Sequence, residues 1–279
     1  MISVIIPAHN EEGYIGTCLD LLLQSTPPDT AGEPPQVVVV ANGCTDQTAD
    51  EARAFSGAFA DKHWQLDILD LPDGGKLNAL NAGDRAARYG TRIYVDADIH
   101  VSRDLIAQLA QVLTRPEPAY AGGRPRIRPA RSFVSERYAR FWEKLPFMAR
   151  GVPGCGVYAV NAAGRARWEN FPQIIADDTF VRHQFTADEM HGVPATYSWP
   201  ITEGFGNLVR VRRRQDQGLE EVRLKHPELA ARMAPTAPDR QEKLALFLRD
   251  PLGFVIYAAV AIAVRFPVFR NRGSWDRGR

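Results

Sequence analysis

The sequence predicts an α/β fold built on a mostly parallel central sheet flanked by helices, and three observations carry that prediction. Short apolar runs alternate with helix-like stretches through the first hundred residues. The runs are near-continuous Val and Ile without polar alternation, as expected of strands covered on both faces. Three of them end abruptly in polar clusters, and in open sheets of this kind ligands sit beyond the carboxyl ends of the strands.

Taken in order, Ile2 to Ile6, Val37 to Ala41, Leu66 to Leu71 and Ile93 to Val95 read as strands. The intervening helices are expected over Tyr14 to Gln24, Asp46 to Phe55 and Leu77 to Arg88. Thr48 and Glu51 have capping-box spacing, and Thr45 is a second candidate cap. The polar strand ends are Pro7-Ala8-His9-Asn10-Glu11, Asn42-Gly43-Cys44-Thr45-Asp46 and Asp96-Ala97-Asp98, which are expected to face one pocket. Beyond Asp98 the pattern loosens into a helix over Arg103 to Leu113, a Pro- and Arg-rich passage, and a helix over Phe133 to Leu145. A Pro-rich break at Pro235 to Pro238 marks the expected boundary of a C-terminal appendage.

Composition narrows the functional classes. A chain of 279 residues, 45% of them hydrophobic, can bury a sizeable core, and a formal net charge of +1 gives no bulk case for nucleic-acid binding. Basic residues are dense at Arg124 to Arg140, Arg210 to Arg214 and Arg265 to Arg279, which suits local anionic partners. Cys18, Cys44 and Cys155 lie too far apart for a zinc site or a disulfide framework, and Met1-Ile2 runs straight into a strand with no leader pattern, so a cytoplasmic protein is expected. The apolar stretch Gly253 to Val264 is shorter than the roughly 20 residues of a spanning helix. It reads either as a buried helix or as a segment lying peripherally on the inner face of the cell membrane, with Arg265, Arg270 and Arg272 meeting anionic headgroups.

Two short motifs carry chemistry. Asp96-Ala97-Asp98 presents two carboxylates one residue apart at a strand end, where they suit a hard divalent cation that also binds phosphate oxygens; the same pattern is common in turns. Asp73-Gly74-Gly75-Lys76 puts two glycines and a lysine at a helix start, where free N–H groups and the helix dipole favour an anion such as a diphosphate; an ordinary Gly turn reads the same way.

In their order, these residues resemble the inverting family 2 glycosyltransferases of GT-A fold, from Ile2 to about Gly218. Pro7 to Glu11 is similar to that family's Pro-x-x-Asn-Glu opening, Asn42 to Asp46 to its Asp-Gly-Ser-x-Asp, Gly75 to Asn81 to its Gly-Lys-x-x-Ala-x-Asn, and Asp96 to Asp98 to its Asp-x-Asp. The resemblance implies a Rossmann-like nucleotide-sugar half over 1–100, an acceptor-side half over 101–234 and an appendage over 235–279. It implies that Pro7, His9 and Glu11 line the nucleoside pocket, with Asn42 near the base, where the family usually has Asp. Lys76 would lie near the base or phosphates, Asp96 near the ribose or metal, and Asp98 would ligate a divalent Mn2+ or Mg2+.

Gly154-Cys155-Gly156 resembles the family's acceptor-side glycine loop, and Ala176-Asp177-Asp178-Thr179 its acidic pair at a helix start, which makes Asp178 the expected general base with Asp177 beside it. Both acids also suit plain N-capping. Arg210 to Gly218 stands where polymer-forming members carry Gln-x-x-Arg-Trp; with Arg214 aligned to the Arg, Val211 and Gln215 replace the Gln and Trp, which argues against a processive polymerase. Arg214 would then help hold the diphosphate.

The implied activity is metal-dependent transfer, with inversion, from a nucleotide-diphosphate sugar, UDP-sugars favoured, to a hydroxyl of a glycan, lipid-linked or small-molecule acceptor. No nucleic-acid partner is expected. The rivals are a non-catalytic nucleotide-sugar-binding partner protein and a sugar nucleotidyltransferase; for the latter, His9-Asn10-Glu11 stands where a Gly-rich, Arg- and Lys-bearing loop would follow strand one.

Overall fold

The structure, a computed structural model, describes residues 1–29, 32–232 and 238–266. Among them the strands are β1 (Ile2–Ala8), β2 (Gln36–Asn42), β3 (Gln65–Leu71), β4 (Thr91–Val95), β5 (His100–Val101), β6 (Tyr120–Ile127), β7 (Val157–Val160) and β8 (Met190–Trp199). The helices are α1 (Ile15–Leu23), α2 (Thr48–Arg53), α3 (Ser56–Asp61), α4 (Lys76–Ala86), α5 (Leu105–Val112), α6 (Phe133–Trp142), α7 (Pro146–Arg150), α8 (Ala162–Arg165), α9 (Asp177–Arg182), α10 (Phe205–Lys225), α11 (Pro227–Ala230), α12 (Arg240–Arg249) and α13 (Pro251–Ala263).

One mixed sheet runs in the order β3-β2-β1-β4-β7-β6-β8-β5. Its β3-β2-β1-β4 half is parallel, and the pairings β4–β7, β6–β7 and β5–β8 are antiparallel. Every residue of β1 and β2 is buried, as unbroken Val and Ile runs require. Helix α4 lays Ala79 and Ala82 on Val38 and Val40, with Leu69, Leu71 and Ala86 at the margin. Pro7 pairs with Val40 beyond the last β1–β4 pair, Ile5 with Tyr94, so its missing N–H breaks no β4 ladder bond.

The stretch Asp46 to Phe55, expected to be one helix, contains only α2, with α3 starting at Ser56. Thr45 and Thr48 cap nothing through their side chains: Gln47 holds the N-cap position, without a side-chain hydrogen bond, and Thr48 is already the first helical residue. The other expected helices and strands lie where the sequence puts them, to within a turn at their ends.

The chain divides into two compact units, one of 1–125, 154–173 and 184–198, the other of 126–153, 174–183 and 199–279. In the first, a polar knot lies against the sheet. The Asp84 side chain, 7% exposed, accepts from Tyr94 Oη at 2.8 Å and faces Arg165 Nη2 at 2.8 Å and Arg92 Nε at 3.4 Å. Burial, then the Asp84 charge, drives the Tyr94 hydroxyl well above its usual pKa, so it stays a neutral donor.

In the second unit, α6, α10 and α13 pack around aromatic rings. Tyr257 stacks on Tyr138 at 5.4 Å and lies 5.2 Å from Phe141, while Phe254 meets Phe141 edge-on at 5.8 Å. Asp250, 5% exposed, caps α13 by accepting from Gly253 N–H and pairs with Arg137 at 2.7 Å and Lys144 at 2.8 Å. Thus α12 and α13 belong to the same compact unit as α6 and α10, and one face of α13 is buried. The Pro-rich break expected to precede them lies outside the described residues except for Pro238.

Removing one partner of a buried charge cluster leaves the others desolvated. Asp84→Ala should therefore lower stability by about 3 kcal/mol in urea unfolding, whereas Arg53→Ala, at an exposed pair with Asp50 and Asp70, should leave the urea midpoint nearly unchanged. Equal losses would show that the Asp84 knot is not a desolvated cluster.

Candidate active site

The loops that leave β1 and β2 are stitched together residue by residue. Asn10 Oδ1 accepts from Thr45 N–H at 2.7 Å, Glu11 N–H donates to Thr48 Oγ1 at 2.7 Å, Glu12 N–H donates to Asp46 Oδ2 at 3.2 Å, and Gly13 N–H donates to Glu51 Oε2 at 2.8 Å. The Thr48 hydroxyl in turn donates to Asp46 Oδ1 at 2.5 Å. Burial pushes the Asp46 carboxyl up, but hydrogen bonds from the Thr48 side chain and backbone and from Glu12 N–H outweigh it and hold the group below the usual carboxylate range. Thr48, Asp46 and Glu51 thus join the β1 and β2 loops, whereas capping-box spacing predicts a helix cap from Thr48 and Glu51.

The β2 end is tied to both neighbours by one side chain. Asn42, 1% exposed, donates from Nδ2 to Ala8 C=O at 2.7 Å and accepts at Oδ1 from Gly75 N–H at 2.8 Å. Its own carbonyl accepts from His9 Nδ1 at 2.7 Å, which places a proton on that ring nitrogen. Both ends of the Asn42 amide are engaged by the scaffold, so its side chain orders the β1, β2 and α4 ends from behind. Gly43 follows at φ +55°, and a Cβ there would lie 2.6 Å from Gly74 N, so the two loops can touch only through glycine.

Gly75, at φ +138°, is the N-cap of α4 and delivers Lys76 to its first turn. Lys76 Nζ sits 3.0 Å from Asp96 Oδ1, joining the Gly-Lys motif to the Asp-x-Asp motif. Cys18, buried in α1, reports the local field: burial, then the charges of Asp98, Asp96 and Glu11, push its thiol up to about 12. All three carboxylates act on Cys18 through their charge, and of the three Asp96 is the one paired with Lys76. Among the described residues no three His, Cys, Asp or Glu side chains form a metal cage by themselves. The donor set fits a hard cation held by one or two carboxylates and completed by phosphate oxygens.

The remaining candidates lie in the second unit. Asp177 and Asp178 open α9; Asp177 is 4% exposed and Asp178 half-buried, with Asp178 Oδ1 accepting from Thr179 N–H at 2.6 Å. In α10 the three consecutive arginines divide their work. Arg212 donates to Tyr257 Oη at 2.9 Å and bonds Asp216, and Arg213 donates to the carbonyls of Val264 and Phe266, so both tie α10 to α13 and the residues just after it. Arg214 is half-buried beside them.

Gly154 and Gly156, at φ +73° and +74°, return to the first unit. A Cβ on Gly154 would run into the Tyr120 hydroxyl, and one on Gly156 would come within 2.6 Å of Ile99 Cδ1, while Gly156 C=O accepts from Asp96 N–H at 2.9 Å. These glycines let the chain pass close behind the Asp96 turn, a packing reason alongside the acceptor-side role that the resemblance implies.

A parallel β3-β2-β1-β4 half that ends in gathered carboxylates and a Gly-Lys helix start, continued by antiparallel strands, defines a GT-A protein. The chain belongs to glycosyl transferase family 2, whose sequence model matches residues 3–169. Over 95% of its length it is 25% identical to 4,4'-diaponeurosporenoate glycosyltransferase of Staphylococcus aureus (strain USA300), spanning 70% of that protein. It is 30% identical over 112 residues to the uncharacterized glycosyltransferase EpsJ of Bacillus subtilis (strain 168), covering 40% of this chain and only 30% of EpsJ. Its fold is similar, with a TM-score of 0.61 and 22% identity over 94% of this chain and 74% of the other, to the mannosyltransferase PcManGT of Pyrobaculum calidifontis, solved with GDP-Man and Mn2+.

The amide at Asn42 has a direct consequence. A carboxylate there cannot donate to Ala8 C=O and faces that oxygen while desolvated, so Asn42→Asp should destabilise by about 2 kcal/mol at pH 7. Burial raises the folded-state pKa of the introduced carboxyl, so the loss should grow as pH rises through and above the unfolded carboxylate value and shrink towards pH 4. Urea unfolding across pH checks this, and a loss independent of pH would dismiss it.

Proposed function

We propose that the protein transfers a sugar from a nucleotide-diphosphate sugar to an acceptor hydroxyl, with a divalent cation and with inversion at the anomeric carbon. The observation that carries the reading is the Lys76–Asp96 pair, which sets an anion-favouring helix start against the carboxylates of Asp96, Asp98 and Glu11. A UDP-sugar heads the donors on the family resemblance, and PcManGT, with GDP-Man, represents the other diphosphate choice. The acceptor is a glycan, a lipid-linked sugar or a small molecule, and three free thiols accord with a reducing cytosol.

In this reading Asp98 and Asp96 hold Mn2+ or Mg2+, which when bound offsets the charge that grows on the departing diphosphate. Lys76 adds a positive charge beside the same phosphates, exchanging part of its pairing with Asp96 for them, and the Gly75-Lys76 turn offers N–H groups. Pro7, His9 and Glu11 border the nucleoside, with His9 oriented by its bond to the Asn42 carbonyl. Asp178, the more accessible of the α9 acids, takes the acceptor's proton as its oxygen attacks, with buried Asp177 beside it. Arg214 steadies the diphosphate, the place that the family resemblance gives it and one that guanidinium geometry suits.

Melting the protein with UDP, GDP, dTDP or CMP, each with and without Mn2+, tests donor and cation together. One diphosphate at about 100 times its Kd should raise the midpoint by about 5 °C with Mn2+ present, and Asp98→Ala should abolish the shift. No shift with any nucleotide would favour a non-catalytic partner protein. Separately, Asp178→Asn should bind donor normally and lose transfer by about 1,000-fold or more; near-normal turnover would remove Asp178 as the base.

A further inference from the structure

Eleven large hydrophobic side chains are exposed among the described residues, and seven of them lie between Leu244 and Phe266. The sequence of α13, Pro251 to Ala263, contains no charged residue. One face of that helix is used: Gly253 and Val260 are buried, and Phe254 and Tyr257 pack on α6. The opposite face carries Leu252 at 46%, Val255 at 56% and Ile262 at 56% exposure, a helical spacing of three and seven residues. On α12, the helix just before α13, Leu244 at 59% and Leu248 at 69% are exposed as well. A helix whose outer face meets water is ordinarily polar there, and a concentrated apolar exposure marks an interaction surface.

Charge selects what covers it. Arg240, Lys243, Arg249 and Arg265 are all exposed around the apolar residues. The acids nearby are occupied: Asp239 and Glu242 cap α12 reciprocally, and Asp250 is buried between Arg137 and Lys144. In sequence, residues 267–279 add four arginines against one aspartate. Helix α13, at ~1.5 Å per residue, is ~20 Å long, short of the ~30 Å hydrocarbon core, and no helix of the described residues is long and apolar enough to cross a membrane.

We propose that the outer face of α12 and α13 docks in the plane of an anionic lipid bilayer. Leu244, Leu248, Leu252, Val255 and Ile262 enter the headgroup–acyl boundary, and the flanking Arg and Lys side chains meet lipid phosphates. The proposal is independent of the transferase reading, because docking needs neither donor nor acceptor.

Co-sedimentation of the full chain with vesicles tests it, comparing phosphatidylcholine alone with phosphatidylcholine containing phosphatidylglycerol. The protein should pellet with the anionic vesicles, at least tenfold more weakly with neutral ones, and release partly at high salt. The double variant Val255→Glu/Ile262→Glu, both sites exposed, should reduce anionic binding at least tenfold with an unchanged melting midpoint. Arg240→Gln/Lys243→Gln, which leaves the apolar face intact, should weaken binding and reduce its salt dependence. Failure of the wild type to pellet with anionic vesicles, or undiminished binding by the Glu variant, would overturn the proposal. So would a solution mass of two chains that the Glu variant halves, which would assign the face to a second copy.

Discussion

The geometry at the open end of the first unit hangs on one buried amide. Asn42 donates to the end of β1 and accepts from the start of α4. A carbonyl and an N–H on opposite sides can be satisfied together only by a group that is donor and acceptor at once, which a carboxylate is not. The family's usual Asp at this place would need a different arrangement of the two loops. The glycine contact between Gly43 and Gly74 follows from the same constraint, since the loops must close to backbone distance for the amide to reach both partners.

Charge is distributed around that frame according to depth. Asp84 lies deep and is compensated by Arg92, Arg165 and the Tyr94 hydroxyl, so its charge serves the scaffold. Glu11, Asp96 and Asp98 raise a buried thiol by their charge, and Asp96 pairs with Lys76. Carboxylates at a strand end suit a hard cation, whereas a buried cluster such as that of Asp84 serves the scaffold.

Much of the first unit was legible in sequence because its signals are local. The Val and Ile runs located β1, β2 and β4, and the polar residues after them located the strand ends. What was not legible is how polar residues divide between scaffold and chemistry. Thr48 and Glu51 stand at capping-box spacing, yet their oxygens serve the β1 loop thirty-odd residues away, a pairing that periodicity cannot register. The antiparallel half of the sheet, with β5 of two residues and β8 interrupted by Pro194, leaves no clean alternation to read. The chain's interleaving between two units is equally invisible, because it depends on which distant strands pair.

The arginines of α10 show the same division most sharply. Three consecutive residues of one type have equal claims on a phosphate when only the sequence is known. Successive positions on a helix point about 100° apart, so at most one or two can face the same direction. Arg212 and Arg213 face α13 and its carboxyl end, where Tyr257, Val264 and Phe266 take their donors. Arg214 follows them directly in sequence, so a change that loosens α13 would release two guanidinium groups next to it. The basic run is therefore part packing and part candidate ligand, and its packing part is what integrates α13 into the second unit with one apolar face turned outward.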